Sequence, residues 1–165
     1  RNGGSRKNPW AVIAAWKQAF GSNPDCQLTM KVRFSRQHSI VREELLAMIG
    51  CAGNIHLLDA FLPQCQLDAL MDRADVFISL HRSEGYGLPV EETLIRGIPV
   101  VATDWSATTE FARSYDNYYP VSYQLLPFHE WSRHKPRSNF QWAEADIGSA
   151  VRHLRGIYDV WRSAS

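Results

Sequence analysis

Apolar residues along the chain switch repeatedly between a helical and a strand-like spacing. The segment 8–21 carries apolar residues every three or four positions and ends in a glycine, which predicts a helix. The segment 26–34 instead alternates apolar and polar residues, which predicts a strand. The same switch continues as far as residue 126. It predicts further helices over 39–50, 63–74, 88–97 and 106–114, and further strands over 54–62, 75–81, 98–105 and 117–126.

This regular alternation predicts an α/β fold, a Rossmann-like parallel sheet with helices on both faces. The strand 75–81 is short and almost entirely apolar, so we expect it to be buried on both faces. Pro120 lies in the last predicted strand and can donate no backbone hydrogen bond, so we expect that strand at a sheet edge. Beyond a long loop over 127–141, one apolar stripe predicts a final helix. The stripe comprises Ile147, Val151, Leu154, Tyr158 and Trp161.

Composition places the chain among ordinary globular proteins and excludes several classes of function. With 165 residues, of which 45% are hydrophobic and 21% charged, it suits one domain over 1–165. A formal net charge of +1 gives no reason to expect nucleic acid as a partner. No apolar run reaches the ~20 residues of a membrane span. Cys26, Cys51 and Cys65 match no zinc or disulfide spacing, which indicates reduced thiols and a cytoplasmic protein.

The stretch SLHRSEGYGLPVEE, residues 79–92, carries the candidate chemistry. It follows a predicted strand, and the ligands of open α/β sheets bind at the carboxyl ends of strands. Gly85 and Gly87 let the backbone approach a ligand closely, and the amides at the start of the next helix favour an anion such as phosphate. Glu84 and Glu92 can face one cleft and accept hydrogen bonds from a hydroxyl-rich ligand. A tight turn with two helix-favouring glutamates is the plainer alternative.

The whole stretch resembles the donor-site signature of the retaining GT-B glycosyltransferases, in particular glycosyltransferase family 4, also called group 1. The signature S-E-G-[FY]-G-L-P-x-x-E is matched over 83–92, and its continuation G-x-P-V-[VI]-A-[ST] is matched over 97–103. The segments RKNPWAVIAAW, NYYPVSYQLLP and WAEAD are similar to further parts of the family. The resemblance implies that the chain is the C-terminal, donor-binding half of a GT-B enzyme, without the N-terminal acceptor domain.

The resemblance also implies a gap in the sheet. The first strand of this half lies centrally in the family's sheet, whereas the first residues here, RNGGSRKN, are too polar for a strand. Two neighbouring strands would then keep unpaired backbone groups, which is costly when they are buried. We therefore expect either that these strands close over the gap or that another segment fills it.

The family's roles can be placed on the matching residues. Glu84 would hold hydroxyls of the donor sugar, and Glu92 would hold the ribose hydroxyls. Lys7 matches the family's diphosphate lysine, so Glu84 and Lys7 are the candidate catalytic residues. The resemblance further implies retention of anomeric configuration and no essential metal or other cofactor. Backbone amides would meet the sugar and the diphosphate along Gly85, Tyr86, Gly87 and Leu88.

Four further residues are weaker candidates for the donor site. Arg6 could share the binding of the diphosphate or could be a solvated side chain. His81 could reach the ligand or could be a histidine satisfied within the fold. Phe61 and Leu62, at the end of a predicted strand, could contact the base or simply pack. Apart from these four, the basic loop 133–137 could touch membrane lipid or nucleic acid, and a solvated loop is the favoured alternative.

The sequence thus predicts retaining glycosyl transfer from a nucleoside-diphosphate sugar to a glycan or lipid-linked acceptor, with the donor half inactive on its own. By analogy, polysaccharide or lipopolysaccharide assembly at the inner face of the membrane is the expected setting. Two alternatives stay open. The chain could be a non-catalytic nucleotide-sugar binding module, or a glycoside hydrolase that uses Glu84 and Glu92 as a carboxylate pair.

Overall fold

The computed structural model describes residues 6–33, 39–127 and 141–164 of the chain. It confirms the alternation of helices and strands. The helices are α1 (Pro9–Phe20), α2 (Ser39–Ile49), α3 (Gln64–Asp72), α4 (Leu88–Ile95), α5 (Thr109–Ala112) and α6 (Ile147–Ala164). The strands are β1 (Leu28–Val32), β2 (Ile55–Asp59), β3 (Phe77–Ser79), β4 (Val100–Thr103), β5 (Tyr118–Val121), β6 (Tyr123–Pro127) and β7 (Gln141–Ala145).

Local chemistry places the ends of the first two helices where the sequence predicts them. Pro9 opens α1, a position at which its missing amide proton breaks no hydrogen bond. Gly21 closes α1 with a φ of 56°, and its amide donates to the Lys17 carbonyl at 2.9 Å. Gly50 follows α2 with a φ of 59°, the same left-handed region that favours glycine.

The strands form two separate parallel sheets and one antiparallel hairpin. β1 pairs with β2, and β3, β4 and β5 form a second parallel sheet with β4 in the middle. In this sheet, Val100 lies between Phe77 on one side and Tyr118 on the other. β6 and β7 pair antiparallel. Pro120 lies in β5, which is an edge strand of the described sheet, as predicted.

Strand β4 shows how helices cover both faces of the sheet. All four of its residues are buried. Val101 packs in a core cluster with side chains of α1, α2 and α6 on one face. Val100 and Ala102 point to the opposite face and pack with side chains of α4 and α5. The fold is therefore an α/β fold with parallel sheets flanked by helices, as the alternation predicts.

A cavity separates the two parallel sheets. Within the residues that the structure describes, β1 pairs only with β2, and β3 pairs only with β4 among its neighbours. The space between β1 and β3 has a volume of about 1150 Å³ and is lined by both strands and by apolar side chains of α1, α3 and α6. Neither of the two expected outcomes, closure of the gap or a substitute strand, occurs in this described part. β3 is accordingly half-buried, so the prediction of burial on both faces was wrong for this strand.

The carboxyl-terminal part departs from the sequence prediction in one respect. The predicted strand 117–126 is two strands, because the chain leaves the parallel sheet at Ser122. β6 then pairs with β7, which lies in a segment for which no strand was predicted. No two-residue turn signal connects these strands, so their pairing has no local signature. The predicted basic loop 133–137 lies outside the residues that the structure describes.

Candidate functional site

Strand β3 leads into the motif loop, which we define as residues 82–87, and α4 begins directly after it. Gly87 has a φ of 98°, and a Cβ at this position would lie 2.4 Å from Thr108 Cγ2. Only glycine fits both the conformation and the space. A Cβ on Gly85 would meet nothing within 4 Å, and its φ lies outside the left-handed region. The fold therefore requires glycine at position 87, whereas a side chain at Gly85, the other glycine of the motif, would face open space.

Glu84 pairs with two cations at the start of the described chain. Arg6 Nη1 donates to Glu84 Oε1 at 2.6 Å, and Lys7 Nζ donates to Glu84 Oε2. The Glu84 side chain is only 11% exposed, against 41% for Arg6 and 46% for Lys7. Burial by itself would raise the pKa of Glu84, but the hydrogen bonds and charges of Lys7 and Arg6 outweigh burial and lower that pKa. Glu84 is therefore an ionised carboxylate at neutral pH.

The turn that carries Arg6 and Lys7 is anchored to the motif loop and to β7. The Arg82 amide donates to the Arg6 carbonyl at 2.8 Å. Asn8 is buried, with a φ of 51°, and its side-chain amide donates to Glu144 at 3.3 Å. Glu144 also accepts from Arg82 Nε at 2.6 Å. Sequence reasoning missed Glu144, because its partners lie 136 and 62 residues away along the chain.

A second segment, residues 105–108 between β4 and α5, lies behind the motif loop. The Ser106 hydroxyl accepts from the Glu84 amide at 3.0 Å and donates to the Glu84 carbonyl at 2.5 Å. Thr108 is fully buried and donates to the Trp105 carbonyl at 3.1 Å. Its methyl group is the atom that a Cβ on Gly87 would strike. This segment thus contacts the motif loop at both Glu84 and Gly87. The sequence offers no local sign of these contacts.

His81 connects the same segment to β3. Its ring is fully buried, with Nε2 3.1 Å from the Trp105 carbonyl and Nδ1 3.1 Å from Ser79 Oγ. Since a carbonyl can only accept, Nε2 carries the proton and Nδ1 accepts from the serine hydroxyl. Burial lowers the pKa of His81, and the hydrogen bond to Trp105 opposes this only in part. This geometry favours the second reading of His81, a histidine satisfied within the fold, over a ligand contact.

Glu92 lies one turn into α4 and lines the same cavity as Lys7, Glu84 and Gly87. Its carboxylate makes no hydrogen bond or ion pair with any residue that the structure describes. The start of α4 adds positive potential nearby, since the amides of Val90 and Glu91 donate to the Gly87 carbonyl, whereas the amides of Gly87 and Leu88, ahead of Pro89, have no acceptor inside the helix. Two carboxylates, a lysine and a helix N-terminus therefore converge on one rim.

The remaining predicted residues lie outside this convergence. Phe61 is 75% exposed, and the Arg33 guanidinium lies over its ring at 5.7 Å. Leu62 is half-buried in the same loop after β2, and neither residue lines the cavity. Tyr86 is exposed and donates to Glu91 at 2.8 Å. Leu88, also exposed, is the first residue of α4. The predicted contacts of these side chains and amides with a donor stay predictions.

The segment from α2 to the end of β5 carries the complete motif, with both glutamates and the start of α4. Residues 42–122 match the family model for glycosyl transferases group 1. The matched segment is just under half of the chain and includes Glu84 and Glu92 but not Arg6 or Lys7. No curated protein sequence matches the chain.

Solved structures of similar fold include two glycosyltransferases and one complex. The C-terminal domain of the glycosyl transferase group 1 family protein LpcC from Francisella tularensis superposes with a TM-score of 0.63 at 17% identity, covering 96% of this chain and 70% of that one. WaaG, a glycosyltransferase involved in lipopolysaccharide biosynthesis, superposes with a TM-score of 0.63 at 16% identity, covering 94% of this chain and 35% of that one. A chain of the GtfA/B complex superposes with a TM-score of 0.63 at 18% identity, covering 93% of this chain and 27% of that one.

At sequence identities of 16–18%, the similarity to these structures shows the fold alone. It confirms the predicted fold class, an α/β domain resembling the C-terminal domain of GT-B glycosyltransferases. The chain spans about a quarter of the GtfA/B chain and about a third of WaaG. The family-4 assignment and the stereochemistry of transfer therefore stay proposals, as do the roles of single residues.

Proposed function

We propose that this chain supplies the nucleotide-sugar site of a retaining glycosyltransferase of family 4. The observation that carries the proposal is the cluster of Glu84 with Arg6 and Lys7, at the rim of the cavity that Glu92 also lines. The match of residues 42–122 to the glycosyl transferases group 1 supports glycosyl transfer as the reaction class.

The diphosphate of the donor binds between the two cations and the start of α4. Lys7 and Arg6 supply positive charge on side chains that are 46% and 41% exposed, so both can turn toward an arriving ligand. The helix N-terminus after Gly87 adds backbone donors. As the bond from the sugar to the diphosphate breaks, negative charge accumulates on the leaving oxygens, and these groups stabilise it. We expect no metal requirement, because the cations of the chain can neutralise this charge.

The two glutamates hold different ends of the donor. Glu84 is buried and ionised, which makes it a strong acceptor for two sugar hydroxyls. Glu92, whose carboxylate has no partner within the described residues, accepts from the ribose hydroxyls. Phe61 and Leu62 follow β2 at the same edge of the fold and would lie near the base.

The acceptor binds outside this chain. We propose a glycan or lipid-linked acceptor, since WaaG acts in lipopolysaccharide biosynthesis, and a second domain or partner protein that completes the cleft, as the GtfA/B complex suggests. None of the helices in the described part of the chain is long and apolar enough to cross a membrane. We propose a cytoplasmic protein that can work at the inner membrane face.

Binding of nucleotide sugars to the full-length protein tests the proposal. UDP-, GDP- and dTDP-sugars are titrated by calorimetry in buffer with EDTA, and we expect one of them to bind with heat that Lys7→Met strongly reduces. A folded protein that binds none of them would rule the proposal out. Binding that needs a divalent ion would refute the metal-free form of the site.

The charge state of Glu84 restricts the hydrolase alternative. A glycoside hydrolase pairs one protonated carboxyl group with one ionised carboxylate. Lys7 and Arg6 lower the pKa of Glu84 against the effect of burial, so Glu84 could serve there only as the nucleophile or base, and such an enzyme has no use for these two cations. The non-catalytic binding module remains the second candidate, because it would use the same donor contacts. Donor binding by the full-length protein without transfer to any acceptor would favour it.

A further inference from the structure

The main chain of Glu84 is held from outside the motif by a single side chain. Ser106 Oγ reaches both backbone polar groups of Glu84, accepting from its amide at 3.0 Å and donating to its carbonyl at 2.5 Å. The two residues are 22 positions apart, and the family signature in the motif does not include Ser106. One hydroxyl therefore satisfies the donor and the acceptor of the residue that carries the central carboxylate.

Ser106 adopts an unusual backbone conformation to do this. Its φ is 75°, and within the described chain only one other non-glycine residue, Asn8, has a positive φ. L-residues avoid this region, and strained residues that persist are concentrated at binding and catalytic sites. The position is locked by its neighbours, because the Thr109 amide donates to the Ser106 carbonyl at 3.1 Å and His81 donates to Trp105. The strain is thus maintained where the segment contacts Glu84.

We propose that Ser106 is a positioning residue for donor recognition, which aims the Glu84 carboxylate by fixing the Glu84 main chain. The inference rests on the proposed function for its role in sugar binding, but the geometry that it asserts can be measured without a donor.

The ion pairs alone do not place this carboxylate. Arg6 and Lys7 are both nearly half exposed, and Arg6 Nη1 also donates to the Ser83 carbonyl at 3.0 Å; both cations hold the end of the Glu84 side chain, and neither contacts the Glu84 main chain. The next residue, Gly85, is exposed, and its amide donates to Glu84 Oε1 at 3.3 Å, a contact within the motif loop that does not tie the loop to another segment. The bidentate contact of Ser106 supplies the missing restraint on the main chain. Without it, the Glu84 carboxylate could move away from the two cations.

The first arm of the test measures the Glu84 carboxyl group itself. The variant Ser106→Gly keeps the positive φ at no steric cost and removes the hydroxymethyl side chain that makes both contacts with Glu84. The matched control is Ser114→Ala, which removes an exposed hydroxyl that donates to the Phe111 carbonyl at 2.7 Å, away from the motif. Glu84 is titrated by NMR in protein labelled at glutamate carboxyls, with Glu84→Gln as the assignment standard. The charged or titratable groups facing it are Arg6, Lys7 and His81.

We expect Ser106→Gly to raise the pKa of Glu84 toward its ordinary value and to speed hydrogen exchange at the Glu84 amide at least tenfold. The control should change neither. A variant with the wild-type titration and wild-type exchange would overturn the proposal. So would equal changes in the control, because they would reveal a general loss of structure.

The second arm measures recognition in the full-length protein. The probes are the best-binding sugar from UDP-glucose, GDP-mannose and dTDP-glucose, and its nucleoside diphosphate without sugar. We expect Ser106→Gly to weaken the nucleotide sugar about tenfold and the nucleoside diphosphate less than twofold. An equal weakening of both would overturn the positioning role. If the wild type binds no nucleotide, the proposed function fails, while the titration of Glu84 still decides whether Ser106 positions it.

Discussion

Replacement of Glu84 by glutamine separates sugar recognition from nucleotide recognition. Glutamine keeps the size and planar shape of the side chain but removes its charge. The side chain loses its ion pairs with Arg6 and Lys7, and its sugar-facing oxygen becomes a neutral acceptor. The main chain keeps its two contacts with Ser106, since these use only backbone atoms of Glu84. The substitution therefore changes charge while it leaves the path of the motif loop unchanged.

The structure sets the expected sizes of the two effects. A hydrogen bond to a charged group contributes about 1.5–3 kcal/mol and one to a neutral group about 0.5–1.5 kcal/mol, so sugar binding should lose about 1–2 kcal/mol. This corresponds to about 5- to 30-fold in affinity. The affinity for the nucleoside diphosphate should not fall in Glu84→Gln, because in the wild type the Glu84 carboxylate competes with the diphosphate for Arg6 and Lys7. Those partners are nearly half exposed, so each pair is worth at most about 1 kcal/mol and the two together at most about 2 kcal/mol, which keeps the gain in affinity below about 30-fold.

The assay is isothermal titration of the full-length wild type and Glu84→Gln with a nucleotide sugar and with its nucleoside diphosphate, at neutral pH and fixed ionic strength. We expect the nucleotide sugar to lose affinity relative to the nucleoside diphosphate, which binds as well as before or more tightly. Lys7→Met serves as the matched control, since it should weaken both ligands. An equal loss of both ligands in Glu84→Gln would refute the assignment of Glu84 to the sugar.

Three further predictions follow from single positions. Gly87→Ala should destabilise the fold by about 2–4 kcal/mol in urea unfolding, because alanine would be strained in the left-handed region and would overlap with Thr108. The control Gly97→Ala, at a φ of 75° but in open space, should cost only about 1–2 kcal/mol. Thr108→Ser removes the overlapping methyl group and should partly restore the stability of Gly87→Ala. If the two glycine variants are equally stable, the overlap is not real. Gly85→Ala should leave the stability within about 0.5 kcal/mol of wild type but weaken nucleotide-sugar binding; unchanged binding would show that no donor approaches there. Because burial lowers the pKa of His81, position 81 takes up a proton only in the unfolded chain as pH falls below the ordinary histidine pKa. The wild type should therefore lose up to about 1–2 kcal/mol more stability than His81→Asn between pH 7.5 and 5.5. Equal losses in the two proteins would contradict this assignment.

The sequence predicts what depends on neighbours along the chain. Pro9 and Gly21 set the ends of α1 because proline and glycine act through their own backbone geometry. The turn at Gly87 and the start of α4 are predicted for the same reason. The stripe of α6 follows from helical spacing: Val151 and Leu154 are buried as predicted, whereas the prediction of burial was wrong for Trp161, which is 47% exposed near the end of the helix. In each case the physical cause lies within a few residues of the feature.

Contacts between distant segments could not be predicted in this way. Ser106 and Glu144 bear on the site through partners 22 to 136 residues away; Glu144 lies in the family-like segment WAEAD, but the neighbours of neither residue along the chain indicate its partners. The pairing of β6 with β7 lacks a short turn that would announce it. The half-buried state of β3 depends on the cavity beside it, whereas its apolar sequence suggests full burial. Tertiary context decides all of these features.

The most direct measurement is a crystal structure of the full-length protein with a nucleotide sugar bound. The account predicts density for the diphosphate against Lys7 and the amides that open α4 after Gly87, with the sugar hydroxyls on Glu84 and the ribose hydroxyls on Glu92. A donor bound elsewhere on the protein would contradict it. So would a donor in this cavity whose diphosphate lies away from Lys7 and the start of α4.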